Sequence, residues 1–199
     1  YVNTGVSIGA IGALLGVSSK SATSQNIGEI LTNNISDGTE YDTPAYTNGV
    51  LINTTSSSFQ TSLDAYRYVF MEKRTRVAGT WFTNDWTAVS TTNDYNRLSR
   101  VIPILKAAQG VYAGVVRYIK SRLFLKSDGT LTDDAINVFK SAIAPYLDAM
   151  VGVDISDYVT YIDPAQNVLT TNSIAIVVRI VPVGMADFIN VTLTYTTKI

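Results

Sequence analysis

Apolar residues recur at three- and four-residue spacing from Leu98 through Val101, Ile102, Leu105, Ala108, Tyr112, Val115 and Ile119 to Leu123. This run constrains the 199-residue chain more than any other feature, because only a helix brings such positions onto one face. It predicts a long helix from about Asp94 to Leu125, which Pro103 and Gly110 are expected to bend or interrupt. Ser127-Asp128-Gly129 reads as the turn that follows. A second helix is expected to begin near Thr132, with Asp133 and Asp134 in its first turn, where negative charge complements the helix dipole. Its apolar face is Ile136, Phe139, Ile143, Tyr146, Leu147 and Met150, and Pro145 should bend it late.

Around this pair the pattern is that of strands. Tyr158–Ile162 is one strand, closed by 163–167. Ile174–Val183 is nearly continuous and β-branched, which predicts a strand buried on both faces. Val191–Lys198 alternates apolar residues with Thr, placing Val191, Leu193 and Tyr195 on one side. Upstream, 4–20 is rich in Gly and Ala and reads as a helix with a small-residue face. Residues 32–62 read as a long surface loop or insertion. Arg67–Lys73, Arg76–Phe82 and Thr87–Thr91 read as three short strands. The fold class is α+β, with a mixed or antiparallel sheet packed on two long helices.

Composition narrows the chemistry. The chain has neither Cys nor His, so thiolate nucleophiles, thiolate metal sites and the usual proton shuttle near neutral pH are excluded. Gly5-Val6-Ser7-Ile8-Gly9 matches a nucleophile-elbow pattern, but no His is present to take the Ser7 proton. Neither the Asp133/Asp134 pair nor the Asp154/Asp157 pair has cation-loop spacing. The chain is therefore read as a non-enzyme with no cofactor and no metal. Its apolar stretches are too short or too interrupted to span a bilayer, so no direct membrane insertion is expected.

Charged residues make up 16% of the chain and the net charge is −1, yet the charges are segregated. Arg97, Arg100, Lys106, Arg117, Lys120, Arg122 and Lys126 fall in a stretch without any acid. Asp128, Asp133, Asp134, Asp148, Asp154, Asp157 and Asp163 follow, against Lys140 alone. Two readings stand open: complementarity between neighbouring elements of one molecule, or a polar contact surface for another copy or an acidic partner. Nucleic acid is not expected, since the basic stretch lacks interleaved exposed aromatics.

Several segments resemble the tail sheath proteins of contractile-tailed bacteriophages. They are Arg67-Tyr-Val-Phe-Met-Glu-Lys73, Val77-Ala-Gly-Thr-Trp-Phe82, Asn84-Asp85, Thr87-Ala-Val-Ser90 and Asp94-Tyr95-Asn96-Arg97, with Ile11–Gly16 and Asn26-Ile27-Gly28 before them and Val181-Pro182-Val183 and Asp187-Phe188-Ile189 after. The resemblance implies one sheath-like C-terminal domain over 1–199, part of a longer protein, ending in an arm over 188–199. It implies a structural subunit that polymerises with copies of itself as stacked rings around an inner tail tube protein. The array contracts to drive the tube through the host envelope. The implied location is the virion, in a contractile tail assembled in the host cytoplasm. The terminal strand, with Val191, Leu193, Tyr195 and Lys198, is then the subunit interface. The basic residues Arg97, Arg100, Lys106, Arg117, Lys120 and Arg122 face tube or neighbour, with Asp133, Asp134, Asp154 and Asp157 as their acidic complement. The rival reading is a surface carbohydrate- or cell-binding module of a phage or bacterium, built on the twelve Tyr and two Trp.

Overall fold

A computed structural model describes residues 2–3, 6–7, 9–36 and 44–195. In chain order the elements are β1 (Val2–Asn3), β2 (Val6–Ser7), α1 (Ile11–Lys20), α2 (Ser57–Ala65), β3 (Met71–Arg74), β4 (Val77–Phe82), α3 (Leu98–Val115), α4 (Asp133–Asp148), β5 (Ile155–Tyr161), α5 (Val168–Thr171) and β6 (Val177–Pro182). The α+β class holds. The expected mixed sheet does not form among the described residues. There are instead three separate two-stranded antiparallel ladders, β1–β2, β3–β4 and β5–β6.

Helix α4 starts where the sequence places it, α3 starts at Leu98 rather than Asp94, and both end earlier. Of the expected apolar face of α3, Leu105, Tyr112 and Ile119 are exposed, while Ser99, Pro103, Ala107 and Gly114 are buried. At α4, Thr132 caps the first turn by accepting from the Ala135 amide, and Ala135, Ile136, Phe139, Ile143 and Leu147 turn inward. Pro103 and Pro145 both sit inside continuous helix. Gly110 does not break α3; like Gly114, it marks close approach to α4. A Cβ on Gly114 would lie 2.5 Å from the Ala142 carbonyl oxygen, so only glycine lets the two backbones meet there. The α-helix stops at Val115, tightens into a 3-10 turn over Val116–Tyr118, and the chain reverses at Lys120 with φ 63°. Leu123 and Leu125 then pack against the Leu131, Ile136 and Phe139 cluster from an irregular return strand. Their helical spacing is satisfied without a helix.

Two further apolar centres complete the core. One joins Val17 of α1 with Ile27, Ile52, Met71 and Phe82. The other lies between α3, α4 and the β5–β6 hairpin, on Ala107, Ile143, Leu147, Met150 and Ile155. Strand β6 is shorter than Ile174–Val183 and is not buried on both faces. Val178 and Ile180 face the helices, whereas Val177 and Val181 are exposed, because nothing among the described residues covers the outer side. Within the stretch 32–62, Asn33 and Ile52 are buried and α2 begins at Ser57, so its described part is tied into the first centre. Thr87–Thr91 forms no strand; the chain there turns, and Trp86 makes an isolated bridge with Arg97. No described helix is long and apolar enough to cross a membrane.

Candidate functional site

The segments quoted for the resemblance converge on one buried group. Helix α3 begins at Arg97, whose backbone is extended and whose side chain does not cap the helix. The cap comes from Asp85, twelve residues upstream: its carbonyl accepts from the Leu98 amide at 2.9 Å and its Oδ2 from the Ser99 amide at 2.9 Å. A carboxylate at this helix start also complements the dipole. Asp85 is fully buried. The Arg97 guanidinium, itself only 6% exposed at the residue level, lies over the Trp86 ring at 4.2 Å from its centroid. It donates to Asn84 Oδ1 at 3.0 Å and, through both terminal nitrogens, to Asp187 at 3.1 and 2.5 Å. Asp85 Oδ1 lies 3.6 Å from the same guanidinium and takes no hydrogen bond. Asn26 donates to Asn84, and the Trp86 ring N–H to Asp64, so both halves of the chain meet here.

A second polar joint lies nearby. Asp154, buried, accepts from Lys106 Nζ at 2.5 Å and from the Thr23 hydroxyl, while the Ser24 hydroxyl donates to the Val153 carbonyl at 3.0 Å. Burial pushes the Asp154 carboxyl up, but the hydrogen bonds from Lys106 and Thr23, with the Lys106 charge, hold it below the usual carboxylate range.

The charged residues singled out in the sequence therefore divide. Arg97 points inward, and Lys106 is spent on Asp154; neither is a free outward contact. For them, complementarity within the molecule describes the structure. Arg100 is half-buried and donates to Asn96 at 3.2 Å. Arg117, Lys120 and Arg122 are exposed beyond the end of α3, and none of them takes part in a described ion pair. Asp133 and Asp134 are exposed in the first turn of α4, and Asp157 is exposed on β5. No group of acids among the described residues is arranged to hold a metal.

At the chain end, residues 183–195 have no regular secondary structure. Phe188, Ile189, Val191, Leu193 and Tyr195 are exposed, Leu193 at 90%. The expected strand Val191–Lys198 is not formed in the described residues, and Lys198 lies outside them. A ladder needs a partner, and among the described residues the segment pairs with none. Asp187, which roots it, carries no role in the sequence reading, and neither do Asp85, Trp86 and Thr23. The available signal was the set of quoted segments ending in Asp and Arg.

Beside this surface, the Tyr158 hydroxyl donates to Asp148 Oδ1 at 2.7 Å. Burial, then that hydrogen bond and the charges of Asp148 and Asp157, push the phenol up to about 12. A raised phenol favours the folded state fully below its unfolded value of ~10, and the contribution disappears as pH climbs through the folded value. In a spectrophotometric titration one of the twelve tyrosines should ionise last, near pH 12, and Tyr158→Phe should remove that step. A wild-type curve without it contradicts the contact.

Residues 94–199 match the family model described as DUF2586, C-terminal domain. Among solved structures the chain is similar to the sheath of an extracellular contractile injection system, the PVC sheath complex in its contracted state. The TM-score is 0.55 at 13% sequence identity, over 72% of this chain and 41% of that one. The chain thus spans under half the length of that relative, with which it shares a fold. No curated protein matches it.

Proposed function

Because the chain belongs to the family of the DUF2586 C-terminal domain and carries a sheath-like fold, we propose that it is a structural subunit of a contractile tail sheath. The observation that carries this reading is the sheath fold combined with a C-terminal segment that has apolar side chains exposed and no partner of its own. Copies would stack as rings around an inner tail tube protein, in a phage virion or a related injection machine. The segment 188–199 would pair with a free edge of a neighbour's sheet, since an added strand supplies backbone hydrogen bonds while its alternating side chains fill pockets. The two-stranded β5–β6 ladder has such edges. Contraction would draw its work from the difference between two packings of the array, without a cofactor.

The test is negative-stain electron microscopy of the full-length protein co-expressed with its tube protein. Striated tubes are the expected result. A monomer even in the presence of the tube would overturn the proposal and favour the surface-binding reading. Charge should matter at the exposed end of α3. Reversing Arg117 and Lys120 to Glu is expected to weaken assembly, and the wild type should assemble less well as salt shortens the screening length from ~10 Å at 0.1 M to ~3 Å at 1 M. Polymer yields that ignore both changes would remove these two residues from the interface.

A further inference from the structure

Among the described residues, nothing past Asp187 makes a hydrogen bond or an ion pair. Between the end of β6 at Pro182 and Asp187, the one side-chain hydrogen bond is a 3.8 Å contact of the Ser99 hydroxyl with Met185 sulfur, and Val183 and Met185 are half-buried. The paired bond from Arg97 is therefore the last polar tie before the C-terminal arm leaves the body. Arg97 has two carboxylates within reach and is bonded to only one of them. Asp187 is 38% exposed at the side chain, whereas Asp85 is wholly buried and its Oδ1 is an acceptor without a donor, 3.6 Å from the guanidinium. An unsatisfied buried carboxylate oxygen is costly, so a short shift of Arg97 toward it gains there what is lost at Asp187, whose carboxylate rehydrates.

We propose that Arg97 is a two-position clamp acting beside the half-buried Val183 and Met185. Bonded to Asp187, it holds the root of the arm on the body; turned to Asp85, it releases 183–187. Release frees five more residues, and at about 3.3–3.6 Å per extended residue the arm gains roughly 17 Å of reach. In a sheath this is slack for a linked pair of subunits that must move apart. The clamp itself is a property of the single chain and is tested on it, so its failure is separate from failure of the sheath reading.

The chain has no Cys, so introduced cysteines are unique labelling sites. Spin labels on Ala186→Cys, just before the clamp, and Ser19→Cys, exposed on α1, report the root's position by pulsed electron resonance. The wild type should show a narrow main distance with a minor broad component. Asp187→Asn should enlarge the broad component about tenfold or more. Asp85→Asn, which keeps an oxygen for the Ser99 amide, should shrink that component, because the rival site has lost its charge. If Arg97 were only a structural ion pair, Asp85→Asn would leave the root unchanged or loosen it, and either result overturns the proposal. An unchanged distribution in Asp187→Asn overturns it as well. Should Asp85→Asn fail to fold, the wild type decides in a salt series. The exposed pair is screened more than the buried one, so the broad component must grow with salt, and a constant one refutes the clamp.

Discussion

Removal of 188–199 is expected to leave a folded domain that no longer polymerises. The described residues of this segment are exposed and hydrogen-bond to nothing, so their loss removes no burial, and the circular dichroism melt should match that of the full chain. Assembly is a different matter. A fully buried aliphatic or aromatic side chain contributes about 1.5–3 kcal/mol. Ordering a backbone residue costs about 1–2 kcal/mol. With apolar residues at roughly alternate positions, side-chain burial only about offsets ordering, and the backbone bonds of an added strand tip the balance. Deleting the strand removes all of these terms at once, so the effect on polymer yield is all or none. Truncated chains that still form striated tubes would show that other surfaces carry the lattice.

Replacing Arg97 with Ala should give the largest loss of monomer stability. It takes the guanidinium from Asn84, Asp187 and the Trp86 face and leaves the Asp85 charge buried with the Ser99 amide as its donor. Removing one member of a buried pair costs about 3–5 kcal/mol, most of it the uncompensated charge. Asp187 contributes little to that cost, since its carboxylate is already partly in water. The double change Arg97→Ala with Asp85→Asn should therefore be less damaging than Arg97→Ala alone, a non-additivity visible in urea denaturation. If the two losses simply add, the Asp85 charge is not what Arg97 compensates.

Much of the C-terminal half was legible in the sequence. Thr132, Asp133 and Asp134 announce the start of α4, and the period correctly names Ile136, Phe139, Ile143 and Leu147 as buried though Tyr146 on the same face is exposed, because capping and helical spacing are local properties. The end of α3 was not legible. Leu123 continues the helical period, yet an irregular return delivers it to its cluster, and on α3 itself the period misnames the buried face: Leu105 and Tyr112 are exposed while Ala107 and Gly114 are buried. Ile174–Val183 misled in a related way. A β-branched run looks alike whether one face is covered or two, and here one face alone packs inward, through Ile174, Ile176, Val178 and Ile180.

The charged residues divide along the same line. Their segregation into a basic and an acidic stretch is written in the sequence, as are the alternation of the C-terminal segment and the absence of Cys and His. Together with the helical and strand periods, those features determined an α+β chain, the start of α4 and an end segment suited to pairing with another strand. Whether a given charge faces water or a buried partner depends on residues far away in the chain. Arg97 meets Asp187 across ninety positions and Lys106 meets Asp154 across forty-eight. Only the tertiary structure decided those pairings, because a charge enters the interior when the fold brings its counter-charge to the same place, and no local pattern encodes that meeting.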